Sequence, residues 1–346
     1  MKVKELMPKK DSKILVRAVS LYVGQGDSTM FFIKDGDRYA TMLADINLDE
    51  KNGGINVPEL VQKVLGKGNK LDVFLNTHPH DDHLRGIKEL DEEVGFKKVL
   101  HADYDPGKKA NAYWKEFDAI IEKMKKADSK SVVEIDGSYS DDKFFDAKIH
   151  VLAPAAYVTD DTAEETAKRR RELIHENCVV FKIGKDGAWL LQPGDADYDA
   201  FKKHIYDAHK KDLKSAVLLA AHHGSRHFFK KDKEEEDAWT DPLKAIDPND
   251  VIVSAPKSSE SQHGHPHADA MKLYKEQSGA EHVFHTGKER HSFIVDIFTD
   301  GRVEKVVDDG GDLETECGFE SEEDARTAPF IRTKGGDDKP RQGHFA

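Results

Sequence analysis

Leu71-Asp72-Val73-Phe74-Leu75-Asn76-Thr77-His78-Pro79-His80-Asp81-Asp82-His83 is the stretch that decides the reading of this chain. Its first five residues are short and mostly apolar, as a buried strand should be. Through Asn76 and Thr77 that strand delivers six residues holding three imidazoles and two carboxylates. A plain surface loop has little use for such a cluster at the tip of an apolar strand. Imidazole and carboxylate together suit Zn²⁺, Mn²⁺ or Fe, and the absence of nearby cysteine speaks against a structural zinc knuckle. On an extended segment His78 and His80, two apart, point to the same side and clamp one ion. Asp82 and His83, at the turn into a helix near 84–90, face a second.

Working outward, three further segments carry chemistry: Val23-Gly24-Gln25-Gly26-Asp27-Ser28, Leu191-Gln192-Pro193-Gly194-Asp195 and Ala221-His222-His223-Gly224-Ser225. With His78-x-His80-x-Asp82-His83, their order and spacing resemble the metallo-β-lactamase superfamily over roughly residues 14–298. Within it they look like the soluble hydrolase domain of ComEC-type competence proteins and the related phosphorylcholine esterase of bacterial cell surfaces. The resemblance implies an α/β fold, a four-layer αββα sandwich, and two divalent metal ions, zinc first and manganese as the alternative. It makes Asp195 the carboxylate shared between the ions and His222 a ligand of the second. His223 is the alternative, because adjacent side chains on a strand point to opposite faces. His175, in His175-Glu176-Asn177-Cys178, is the candidate third histidine of the first ion. His265, in His263-Gly264-His265-Pro266-His267, matches the family's late histidine, a metal ligand, phosphate binder or general acid. The expected metal set is thus His78, His80, Asp82, His83, His175, Asp195 and His222, and the expected catalytic groups are Asp82, His223 and His265. Asp27 and Asp45 match supporting positions, although Asn47 stands where the family has glycine. His101 and His150 read as core or edge histidines, and Ser225, Arg226 and His265 as groups that hold phosphate.

The remaining pattern fits two sheets packed face to face with helices outside. Strands are expected at 14–23, 29–33, 39–45, 71–75, 98–100, 148–152, 178–183, 188–192, 216–221, 251–254 and 292–298. Helices are expected at 57–65 with Asn56 as N-cap, and at 113–124, 198–209 and 268–277. Residues 1–307 read as one domain with a charged helical insertion at 160–172 and a charged loop at 230–237. Residues 308–346, rich in Gly, Asp and Glu, read as a loosely held tail.

Charge bounds the function. The 346 residues carry 53 Lys and Arg against 66 Asp and Glu, a net charge of −13. Binding a polyanion by bulk attraction needs clustered cations, so stable non-specific nucleic-acid binding is disfavoured. A phosphodiester at a metal site, where the ions supply positive charge, remains open. Lys108-Lys109, Lys168 to Arg171 and Lys202-Lys203 are compact basic groups that read as solvated faces. Two cysteines, no secretory signal and no apolar run long enough for a bilayer point to the cytoplasm and to no membrane partner. The expected activity is phosphodiester hydrolysis by water activated between two ions, on a nucleic acid, nucleotide or other diester. A hydrolase of a lactone, amide or thioester, or a silent scaffold of the same fold, are the alternatives.

Overall fold

Met30 and Phe32 turn to one side of a strand, Phe31 and Ile33 to the other, and all four are fully buried. A strand covered on both faces belongs to an inner layer. The computed structural model describes residues 1–104, 111–158, 166–234 and 237–319, and among them fifteen strands form two such layers. In chain order these are β1 Ile14–Ser20, β2 Thr29–Asp35, β3 Arg38–Ala44, β4 Leu71–Leu75, β5 Phe96–His101, β6 Val132–Glu134, β7 Ser140–Phe144 and β8 Ala147–Ala153. They continue with β9 Val180–Lys185, β10 Ala188–Gln192, β11 Val217–Leu219, β12 Asp250–Val253, β13 Val283–His285, β14 Phe293–Phe298 and β15 Val307–Asp308. The first sheet runs β15-β14-β1-β2-β3-β4-β5-β6 and the second β13-β12-β11-β10-β9-β8-β7.

Three apolar clusters define the layers. Phe31, Ile33, Val73, Leu75, Phe181, Ile183, Leu190 and Val217 meet between the sheets. Met30, Phe32 and Phe74 pack outward under Leu60, Ile87, Leu90, Phe117 and Ile121 of the helices Val57–Leu65, Ile87–Glu93 and Ala112–Ala127. Val180, Leu191, Leu218 and Val253 of the second sheet meet Phe201, Leu243, Ala270 and Tyr274 on the far side. Helix, sheet, sheet, helix is the expected four-layer sandwich.

Each sheet has a parallel block, β3 to β6 in the first and β10 to β13 in the second. The chain leaves β4, β10 and β11 at their carboxyl ends, where open α/β sheets place their sites. All three exits lead into the histidine and aspartate segments.

The structure differs from the expectations in several places. The helix expected near 84–90 is two, Asp81–Leu84 and Ile87–Glu93, parted by Gly86 in a left-handed conformation (φ 99°). The strand expected at 216–221 is only Val217–Leu219, because the chain turns sharply at His222. Of the insertion expected at 160–172, residues 160–165 lie outside the described residues, and the helix Ala167–Glu176 follows them. Nor does the domain end at 307. Val307–Asp308 pairs with β14, and the helix Asp312–Cys317 buries Leu313 and Cys317, four apart, against the first sheet's helices. Asn56 N–H donates to the Cys317 carbonyl at 2.7 Å and Phe319 N–H to Gly54 at 2.9 Å, sealing this segment down. Two apolar residues among many Gly and Asp were too sparse a pattern to register as a helix. Residues 320–346 lie outside the described residues. Among those described, no helix is long and apolar enough to cross a membrane.

Glu314 marks this docked segment with a testable charge. Its Oε1 accepts from the Ser292 hydroxyl at 2.8 Å and its buried Oε2 has no partner. Burial, then the Asp309 carboxylate, push its carboxyl up to about 8. An acid with a raised folded pKa stabilises the fold fully below its unfolded value and loses that contribution as pH rises towards the folded one. Glu314→Gln should therefore raise Tm at about pH 8 and change it little at about pH 5. Thermal melts at the two pH values check this, and an equal shift at both would contradict it.

Candidate metal centre

Asp45, at the end of β3, organises the motif. Its backbone is left-handed (φ 57°), which turns its carboxylate back over the β4 exit. Oδ1 accepts from Thr77 N–H at 2.7 Å and Asn76 Nδ2 at 3.1 Å. Oδ2 accepts from the Thr77 hydroxyl and from His83 Nδ1 at 2.8 Å. The Thr77 oxygen in turn lies 3.1 Å from His78 Nδ1. One carboxylate thus fixes the Nδ1 side of two imidazoles, leaving both Nε2 atoms free to ligate. Asn47 has a use here too: its Nδ2 donates to the carbonyls of Val23 and Gln25 at 2.7 and 2.8 Å, clamping the loop that carries Asp27. Gly26 in that loop lies so close to the motif that a Cβ would stand 2.3 Å from the Asp82 carbonyl.

Asp195 arrives from β10 through Gly194, where a Cβ would meet the Cys178 sulfur at 2.6 Å. Its two oxygens face different histidines. Oδ2 lies 3.5 Å from His78 Nε2 and 3.6 Å from His222 Nε2. Oδ1 lies 3.3 Å from both His83 Nε2 and His223 Nε2, which are themselves 3.3 Å apart. Two ligands each about 2.0–2.1 Å from a tetrahedral ion stand about 3.4 Å apart, so this triangle has the edge lengths of a metal shell. Asp82 Oδ2 lies 3.4 Å from His223 Nε2, on the same side.

Two donor groups result, each with its ligand atoms within 4.8 Å of one another: His78, His80, His175 and Asp195, and Asp27, His83, Asp195 and His223. His175 sits in the last turn of the helix Ala167–Glu176, its Nδ1 3.4 Å from Asp197 Oδ2 and its buried Nε2 unpartnered. His80 Nδ1 comes within 2.9 Å of His78 Nε2. Asp197, two residues past Asp195 and the N-cap of the next helix, was missed from sequence, and only its spacing hinted at it.

His222, favoured from sequence for the second ion, and His223, its alternative there, lie on different sides of Asp195. Both have left-handed backbones (φ 50° and 54°), a conformation that costs about 1–3 kcal/mol in a non-glycine residue and persists where its surroundings impose it. His223, at 1 % exposure, enters the second group, with Nδ1 3.1 Å from the Ser254 carbonyl and Nε2 turned to His83, Asp195 and Asp82. His222 faces the first group instead, its ring against His175 (4.6 Å between centroids) and His265 (5.2 Å). His223, also expected as a proton donor, has its Nε2 3.3 Å from both His83 Nε2 and Asp195 Oδ1. His265 is buried with an unpartnered Nδ1, and burial followed by His223 pushes its pKa down to about 3. It is therefore neutral and able to donate or accept one hydrogen bond, not a store of protons. Arg226, read as a phosphate group, is engaged by Asp269 at 3.1 Å, and Ser225 is fully buried. His101 and His150 hold structural places, one edge-on to Phe117 and the other beside Asp142.

The electrostatics fit a cation. Burial raises the Asp195 carboxyl, but His222, His223, His83 and His78 together hold it well below the carboxylate range. Against burial, Asp195 and Asp45 raise His83, and Asp195, Asp27 and Asp82 raise His223. Burial, then neighbouring imidazoles, keep His78 and His80 low. Protons on His83 and His223 thus stand in for the positive charge that the buried carboxylates demand. Metal binding should release them, so apparent affinity for Zn²⁺ rises between about pH 6 and pH 8. Calorimetry in buffers of differing ionisation enthalpy reads the proton release directly, and a pH-independent affinity would contradict it.

No curated protein matches the sequence. Among solved structures, Igni18, a metallo hydrolase of Ignicoccus hospitalis, is similar at 14% identity and TM-score 0.44, over 78% of this chain and 94% of that one. CmlA, a diiron β-hydroxylase of Streptomyces venezuelae, is similar at 14% identity and TM-score 0.42, over 78% and 52%. Residues 53–171, which carry β4, the His78–His83 motif and its helices, match the model of the metallo-beta-lactamase superfamily, and the two-sheet sandwich built around them is that superfamily's fold.

Proposed function

We propose that this chain is a two-metal hydrolase that cleaves phosphodiesters. The observation that carries the reading is the division of Asp195: Oδ2 faces His78 and His222, Oδ1 faces His83 and His223. A carboxylate placed this way is suited to serve two ions at once. His78, His80 and His175 would hold the first ion, and His83, His223 and Asp82 or Asp27 the second. Two divalent ions bound there, zinc or manganese, would supply an activated water near neutral pH and neutralise charge on the phosphoryl group.

The chain's own groups do the rest. Asp45 keeps the His83 ring turned so that Nε2 points inward, and Asp197 does the same for His175. Asp82, on the cleft side of the second group, orients the attacking water by accepting its hydrogen bond. The unpartnered Nδ1 of His265 is suited to donate to a phosphoryl oxygen, where a preorganised donor stabilises developing charge. Turnover of bis(4-nitrophenyl) phosphate compared with 4-nitrophenyl acetate, in protein loaded with Zn²⁺ or Mn²⁺, tests the reading. Faster diester cleavage is expected, and cleavage of the acetate alone would move the substrate to carboxyl derivatives.

A further inference from the structure

Beside Asp82 a cleft of about 290 Å³ opens, walled by Gln25, Asp49, Lys51, Asp81, Arg85 and Glu260 among others. Arg85 follows the motif helix, and its backbone is pinned on both sides: its N–H donates to Asp81 at 2.8 Å and its carbonyl accepts from Leu48 at 3.0 Å. Its half-buried guanidinium lies by the Tyr113 ring, 5.9 Å from the centroid, and among the described residues it makes no ion pair or hydrogen bond. Gln25 offers a second idle donor. Its Oε1 accepts from the Ser261 hydroxyl at 2.7 Å, while its buried Nε2 has no partner. Donors left unpaired beside a charged cluster call for an acceptor that the protein does not supply.

The acids of the same cleft set the limit on what enters. Asp49 already accepts from Gln25 N–H and from Asn52, and Glu260 Oε1 is 3.9 Å from Arg290. One phosphodiester anion at the Arg85 fork would gain a bidentate, charge-assisted pair. A strand of phosphates would meet Asp49, Asp81 and Glu260 next. Elsewhere, Lys203 is tied to Glu176 and Asp199, and Lys202 lies over the Trp239 ring, so neither lysine is free to track a polyanion.

We propose that this cleft takes a small, singly charged phosphodiester, not a polynucleotide, and that Arg85, with Gln25, holds its phosphate. The inference rests on the phosphodiesterase reading. Its test is steady-state turnover of bis(4-nitrophenyl) phosphate and of a single-stranded oligonucleotide by metal-loaded wild type, Arg85→Ala and Arg85→Lys, with metal content measured in each. Arg85→Ala should raise KM about ten- to a hundredfold, the usual range for one hydrogen-bonded charge. It should move kcat by less than about threefold. Both ions should stay bound, Arg85→Lys should fall between, and the oligonucleotide should have the lower kcat/KM. An unchanged KM, a lost ion in Arg85→Ala, or preference for the oligonucleotide would overturn the proposal. Wild type with both ions bound and no diester turnover would instead overturn the phosphodiesterase reading, and this inference with it.

Discussion

Asp195→Ala is expected to lower the metal content from two ions to at most one weakly held ion and to cut turnover by about a thousandfold or more. Asp195 is, among the described residues, the single carboxylate within reach of four imidazoles, and both of its oxygens are committed, each to a different pair. Removing it takes one ligand from each donor group and leaves His83 and His223 without their main counter-charge. Both should then titrate lower in the metal-free protein, which would stop paying protons out when metal is added. The fold should survive, because Asp195 lies in none of the three apolar clusters that hold the layers together. Circular dichroism controls for folding, elemental analysis gives the ions, and retention of both would contradict the bridging role.

His223→Ala is expected to empty the second group alone and to lower turnover about a hundredfold or more, while the first ion stays. The argument is the 3.3 Å triangle of His83, His223 and Asp195, which His222 does not enter. His222→Ala should act on the other side, weakening the first ion and leaving the second. The pair of variants separates two readings that the sequence left open. Loss of the same ion in both would show that the turn at 222–223 fails as a unit and would undo the assignment.

That pair also shows where sequence reasoning stops. The motif at His78–His83 was legible because strand, turn and ligand spacing are local, and each follows from the run of residues alone. Asp195 was singled out by resemblance to the family's shared carboxylate, at the end of a strand after a glycine. Choosing between His222 and His223 relied on strand alternation, but the chain is no longer a strand there. Two left-handed residues reset which imidazole points inward, and nothing local announces a conformation that tertiary packing imposes. His175 and Asp197 are twenty-two residues apart and meet only once the helix Ala167–Glu176 is placed over the site. Arg226 reads as a free cation until Asp269 is seen beside it. Arg85 reads as an ordinary helix residue until its cleft is seen and, among the described residues, no carboxylate pairs with it.

The layers were legible wherever both faces of a strand are apolar, as at Phe31 to Ile33, and less so at the edges. β6, β7, β13 and β15 have short or charged sequences whose pairing comes from neighbours rather than pattern. The segment at 308–319 is the same case, held by Leu313, Cys317 and backbone bonds rather than by composition.

The central claim is that Asp195 joins two ion sites, and its most direct test is metal content per chain. Protein incubated with excess Zn²⁺ or Mn²⁺ and freed of unbound ions should hold two per chain, and His223→Ala should hold one. A wild type that holds one ion or none under those conditions would contradict the account.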